Sequence, residues 1–171
     1  MRHPIPDGTG SRRLGPADAG ELLTLQRAAY ATEAQLYDDP RLPALTQTLD
    51  DLRAELAHPA LGLFAGHRLV ASVRWRIDGG TARIGRLVVA PDRQGLGLGT
   101  ALLRAAEQAS GAHRFALFTG HRSEGNLRLY EREGYRRVRR EVLRPGVELV
   151  HLEKEGSRSR QAHPVEVPRA L

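Results

Sequence analysis

Gly95, Gly97 and Gly99 stand at alternate positions in Arg93-Gln94-Gly95-Leu96-Gly97-Leu98-Gly99-Thr100, between an apolar run ending in Leu87-Val88-Val89-Ala90 and an amphipathic stretch that begins near Leu98. Residues without a Cβ enter positive φ freely, so such a stretch can turn successive backbone N–H groups toward one point. A helix starting at its end adds unpaired amides and the positive end of its dipole. The chemistry this predicts is the holding of a phosphate or pyrophosphate. Two familiar phosphate loops are excluded. A Walker A loop needs Gly-Lys, which occurs nowhere in the chain, and the dinucleotide pattern Gly-x-Gly-x-x-Gly/Ala fails from Gly95, where the last slot is Thr100, and from Gly97, where it is Leu102.

A second stretch, Asn126-Leu127-Arg128-Leu129-Tyr130-Glu131-Arg132-Glu133-Gly134-Tyr135, reads as a short helix with Gly134 where a left-handed C-terminal residue is expected. By itself Tyr130, with Leu127 at i−3, reads as an amphipathic core tyrosine. Over about residues 11–153 the chain resembles the GNAT superfamily of acetyl-CoA-dependent N-acetyltransferases. The resemblance rests on Gln94-x-x-Gly97-x-Gly99 preceded by Arg93, and on Asn126, Tyr130 and Gly134-Tyr135 about 30 residues further on.

That resemblance implies acetyl-CoA as cosubstrate, with its pyrophosphate on the backbone of Gln94, Gly95, Leu96, Gly97, Leu98 and Gly99, Arg93 adding charge and Thr100 a hydroxyl. It implies a pantetheine arm along Leu87, Val88 and Val89, steadied by Asn126, with the Val89 N–H polarising the thioester carbonyl. Tyr130 falls where the family often protonates the departing thiolate. The expected reaction is transfer of acetyl to a primary amine by direct attack in a ternary complex, the acceptor being a small molecule or a protein amine. The alternative is a catalytically silent acyl-CoA-binding sensor or interaction domain that keeps the loop and lacks the tyrosine's role.

The base that takes the amine's proton is not assigned. Many relatives carry a glutamate on the splayed strand, where this chain has Ile84, Gly85 and Arg86. His121, just past a predicted strand at 115–119, is a candidate whose plainer reading is an exposed loop histidine. Glu33, Asp38 and Asp39 are candidates for holding a cationic acceptor, their plainer reading being solvated loop acids.

Composition narrows the rest. The 171 residues fit one domain with a real core. No cysteine is present, so disulfides, thiolate metal sites and a cysteine nucleophile are excluded. The histidines lack metal-ligand spacing and no Gly-x-Ser-x-Gly elbow occurs, so no metal is expected. Nothing resembles a signal peptide or approaches the roughly 18 apolar residues of a membrane span, and a cytoplasmic protein is expected. Of the net charge of +6, residues 1–13 and 154–171 carry +2 each, leaving only +2 for the body. With aromatics at 5%, that argues against a specific nucleic-acid surface. A homodimer is left open.

Around the loop, the pattern predicts a strand at 11–15, a helix from Pro16 to about Tyr30, a polar connection over 31–46 and a helix from Thr48 to Ala57. From Leu61 the period becomes two, with a hairpin at Asp78-Gly79-Gly80 and a return strand from Thr81 to Ala90. Alternation puts Arg74, Arg76 and Arg86 on one sheet face, expected to be solvated, the sharper idea being a patch for an anionic acceptor. A helix over 98–110 is expected to bury Leu98, Ala101, Leu102, Ala105 and Ala109; strands follow near 135–142 and 147–153. This is the order of the GNAT fold: α+β in α/β/α layers, a mixed, mostly antiparallel sheet of six to seven strands with a splayed central pair, and about four helices. The expected domain is 11–153, between a mobile arm at 1–10 and a disordered basic tail at 154–171.

Overall fold

The computed structural model describes residues 9–156. Strand β1 (Thr9–Arg13) leads through a 3-10 turn at Pro16–Asp18 into helix α1 (Ala19–Tyr37), α2 (Pro43–Thr46) and α3 (Leu49–Glu55). Strands β2 (Ala60–Ala65), β3 (Arg68–Asp78) and β4 (Thr81–Val89) come next, then α4 (Leu98–Ser110), β5 (Arg114–Gly120), α5 (Glu124–Arg132), β6 (Arg136–Arg144) and β7 (Val147–Glu155). The seven strands form one sheet in the order β1-β2-β3-β4-β5-β7-β6. The sheet extends further toward both ends than the expected domain does, since Thr9 and Glu155 are strand residues; the remainder of the expected arm and tail lies outside the described residues.

Every neighbouring pair is antiparallel except β4 and β5, which run parallel and pair only through Thr81–Arg83 with Arg114–Ala116. Beyond those three residues the two strands part, leaving a wedge at the sheet's centre. The sheet buries both faces. Leu98, Leu102, Leu103 and Ala106 of α4 and Leu127 and Tyr130 of α5 pack on one side with Val73, Trp75, Ile84 and Leu152. Leu22, Leu23 and Leu25 of α1 and Leu52 of α3 pack on the other with Leu69, Val88 and Ala90.

Three local departures from the sequence pattern shape the site. Helix α1 runs to Tyr37, seven residues past the expected end, and stops at Asp38 in the left-handed conformation. Residues 31–37 look like loop because they lack an apolar stripe, yet Ala-Thr-Glu-Ala-Gln-Leu-Tyr contains mostly good helix formers. In α4 the buried face is Leu98, Gly99, Leu102, Leu103 and Ala106, one position round from the expected stripe; Ala109 is exposed. Finally, β4 carries a bulge. Ser72 pairs with Val88 and Arg74 with Gly85, so Arg86 and Leu87 both stand opposite Val73. Arg86 supplies the left-handed residue, φ +51°, that glycine usually supplies in such a bulge. Before it Ala82 and Ile84 face the α4 side; after it Leu87 and Val89 do, and Val88 and Ala90 join the α1 core.

Candidate active site at the splayed strands

The wedge opens into a cleft of about 2370 Å³. Its floor is the far end of β4. Ala90 donates its N–H to Val70 of β3, so by strand alternation the N–H and C=O of Val89 and of Leu87 point the other way, into the wedge. The Gln94 side chain reaches back to the Val89 carbonyl at 3.5 Å.

One end of the cleft is backbone. Gly95 and Gly97 both take left-handed φ, +76° and +78°, and Gly97 is the N-cap of α4 without a side-chain cap, leaving the Leu98, Gly99 and Thr100 amides open. Gly99 serves differently from its neighbours. It is helical, and a Cβ there would meet Leu129 Cδ1 at 3.3 Å and Val89 Cγ2 at 3.8 Å, so its bareness lets α4 approach α5 and β4. Every residue from Arg93 to Thr100 lines the cleft, as do Leu87, Val88, Val89, Asn126 and Tyr130.

Tyr130 joins that end to the other. Its ring is buried on α5 in the α4-side core, 6.0 Å from the Tyr135 ring. Its hydroxyl has no hydrogen-bond partner among the described residues, yet no side-chain polar atom without a partner is sealed from solvent, so the hydroxyl opens on the cleft. Burial holds the phenol's pKa above its ordinary value, and the nearby Tyr30 and Glu33 add to the rise. A phenol kept protonated in this way still carries a proton to give throughout the neutral range. Asn126, exposed at the first turn of α5, donates to Thr119 Oγ1 of β5 at 3.3 Å.

The opposite wall is made of side chains. Tyr30, Glu33 and Tyr37 lie at i, i+3 and i+7 on α1 and line the cleft. Ser123 occupies the N-cap position of α5 but makes no capping bond; its hydroxyl instead donates to Glu33 Oε2 at 2.7 Å. The Tyr37 hydroxyl accepts the Arg122 N–H at 2.7 Å. Arg74 is buried, not solvated as expected: α1 covers its face, and its guanidinium donates to Glu55 at 2.8 Å and to Gln26 Oε1 at 2.6 Å. Burial pulls its pKa below the ordinary value, Glu55 opposing and Arg86 adding to the fall. Arg86 lies over the Tyr30 ring, 5.7 Å from its centroid. Of the residues that the sequence singles out, His121 is not brought to Tyr130: its Nδ1 accepts the Glu148 N–H at 3.1 Å, its ring packs on Tyr37, and it is not a cleft residue. Asp39 is taken up by Arg144 at 2.6 Å, and Asp38 caps α1. Sequence reasoning misses Tyr30, Tyr37 and Ser123; the i, i+3, i+7 spacing of 30, 33 and 37 is the available signal for the two tyrosines, and no local pattern marks Ser123 as the partner of Glu33.

The family model of the Acetyltransferase (GNAT) domain matches residues 44–156. The chain belongs to the GNAT acetyltransferase family. Its chemistry is therefore acyl transfer, and the sheet with its splayed pair is the family's fold. The uncharacterized N-acetyltransferase YjcF of Bacillus subtilis is 24% identical over 132 residues, covering 77% of this chain and 92% of that protein. Among solved structures, the PaiA N-acetyltransferase of Thermoplasma acidophilum, in complex with coenzyme A, superimposes with a TM-score of 0.74 at 20% identity, over 86% of this chain and 98% of that one. The Escherichia coli ribosomal-protein-S18-alanine N-acetyltransferase gives 0.72 at 15% identity, over 91% and 98%. Among the described residues no helix is long and apolar enough to cross a membrane, and no cluster of three or more histidines and carboxylates is placed to hold a metal ion.

Proposed function

We propose that this GNAT member moves an acetyl group from acetyl-CoA to a primary amine by direct attack, with Tyr130 as the proton donor to sulfur. The observation that carries this is the Tyr130 hydroxyl, unpartnered among the described residues and facing the cleft where the glycine loop and the parted strands meet. The loop fits the cosubstrate on its own geometry. Two left-handed glycines and an uncapped helix start form a cradle for a pyrophosphate, and the PaiA relative is a coenzyme A complex. Acetyl-CoA supplies the acetyl group as a thioester.

The chain's own residues then divide the work. The wedge-facing Val89 N–H donates to the thioester carbonyl, stabilising charge that develops on its oxygen. The Leu87 backbone and the Leu87 and Val89 side chains offer amide partners and an apolar wall to the arm, and Asn126 a polar one. Arg93 and Thr100 flank the loop amides. The amine nitrogen bonds to the acetyl carbon as the carbon–sulfur bond breaks; Tyr130 gives its proton to the sulfur, and the nitrogen's proton leaves on the side of Glu33, the carboxylate held by Ser123.

Tyr130→Phe keeps the buried ring and removes the hydroxyl. Turnover should fall roughly 10- to 1,000-fold while acetyl-CoA binding changes little. With no cysteine in the chain, a thiol reagent reads released coenzyme A alone. Wild-type turnover and an unchanged pH profile in the variant would return Tyr130 to a packing role.

A further inference from the structure

Two ions of opposite sign face the half of the cleft away from the glycine loop, and neither is matched inside the protein. Arg86 makes no ion pair with any described carboxylate. Its guanidinium rests on the Tyr30 ring, with the already paired Arg74 guanidinium as its charged neighbour. It is half-buried, and it is held there by a bulge in a left-handed conformation that arginine does not favour. Glu33, also half-buried, makes no ion pair with any described cation and takes only the Ser123 hydroxyl. Of the other arginines that line the cleft, Arg83 and Arg104 are bound to Asp78 and Glu133 at 2.7 Å each, and Arg76, Arg122 and Arg132, which make no ion pair with a described carboxylate, are exposed to solvent where Arg86 is half-buried.

A half-buried charge without a counter-ion costs free energy, and that cost is recovered when a ligand brings the opposite charge. Tyr30 and Glu33 are one helical turn apart, with Cβ atoms about 5–6 Å from each other. Arg86, over the Tyr30 ring, and Glu33, on the next turn of α1, therefore flank the same part of the cleft, within reach of one small molecule.

We propose that the acceptor of this enzyme is a small molecule bearing both the reactive amine and an anionic group, the amine drawn to Glu33 and the anion to the Arg86 guanidinium. The proposal rests on the acetyl-transfer reading only for which end of the cleft receives the acceptor. A planar guanidinium favours an oxyanion it can grip with two N–H groups, so carboxylate, phosphonate and phosphate share the required chemistry.

The test uses matched pairs: amino acids with one to four carbons between nitrogen and carboxylate, the aminophosphonates of the same length, and the corresponding amines lacking the anion. Calorimetric binding to the full chain saturated with coenzyme A is measured beside turnover by thiol release. The anionic member of a pair should bind and turn over about tenfold or more better than its neutral partner. Comparison of carboxylate with phosphonate says which oxyanion is preferred. Arg86→Gln should erase the preference and Arg86→Lys restore part of it, each with the stabilisation by coenzyme A retained as proof of an intact fold. Equal treatment of paired compounds, or a preference untouched by Arg86→Gln, overturns the proposal. So does faster acetylation of peptides with an acidic first residue than of any free amino acid. Binding preference without thiol release from any amine would count against acetyl transfer and leave the anion subsite standing.

Discussion

The two ends of the cleft are built from different materials. At the loop end the groups on offer to a ligand are backbone amides, placed by Gly95, Gly97 and the start of α4, and their placement depends on the bareness of the glycines more than on side-chain identity. At the α1 end they are side chains, Tyr30, Glu33, Arg86 and Ser123, each fixed by contacts from a different element. Under the proposed function the backbone end takes the cosubstrate and the side-chain end the acceptor, so substitutions at the second need not disturb the first. Exposed Leu96 belongs to the first end, and exposed Leu36, Phe118 and Leu143 give the rest of the cleft an apolar lining.

That contrast breaks most completely at the loop. Gly97→Val forces a β-branched residue into φ +78° and places its methyl groups among the amides. Wild-type protein should gain stability from coenzyme A by mass action, about 2.7 kcal/mol at one hundred times Kd, and the variant should gain none. A thermal shift with and without coenzyme A checks this, and the α1 end predicts the reverse pattern for Arg86→Gln. An unchanged shift in Gly97→Val would remove the loop from the binding site.

The α1 end should instead answer to packing. A Cβ on Gly120 would lie 2.6 and 2.9 Å from ring atoms of Tyr37 and closer still to its hydroxyl. Gly120→Ala should cost about 1–3 kcal/mol and lower acceptor turnover while leaving coenzyme A binding in place. Urea unfolding beside the same thermal shift separates the two effects; a neutral substitution would mean that Tyr37 is not seated against β5.

The smallest effect is in the pH dependence. Burial raises the pKa of both Tyr130 and Tyr135, the latter also donating to Glu107 at 2.8 Å. A folded-state pKa above the unfolded value of about 10 means that the unfolded chain loses the proton first, so stability holds below that pH and declines above it. Denaturation midpoints should be flat in this respect up to about pH 9.5 and fall toward about pH 11, less steeply in Tyr130→Phe. A midpoint that did not move over that range would contradict buried phenols.

The same division explains what could be read from the chain. Strand alternation, the Asp78-Gly79-Gly80 hairpin and α4 come from residue period and turn type, and the loop comes from glycine spacing, because these are local rules. Residues 31–37 are unreadable for the opposite reason: a helix face that lines a cleft has the composition of a loop, so α1 ends early on apolar periodicity. Arg74 reads as solvated because its partners, Gln26 and Glu55, come from distant elements. Nothing local marks Arg86 as left-handed, since arginine has no preference for that conformation.

Arg86 also gives β4 a phase. On a pleated strand the side of every residue is set by counting, and a bulge drops one count from the ladder, so Leu87 and Val89 owe their place beside the cleft to a residue that does not pair in the ladder itself. Were the same residues between Ile84 and Leu87 to run as regular strand, Leu87 and Val89 would exchange sides with Val88 and Ala90, turning the wedge-facing amides back toward β3 and the α1 core toward α4 in a single slip.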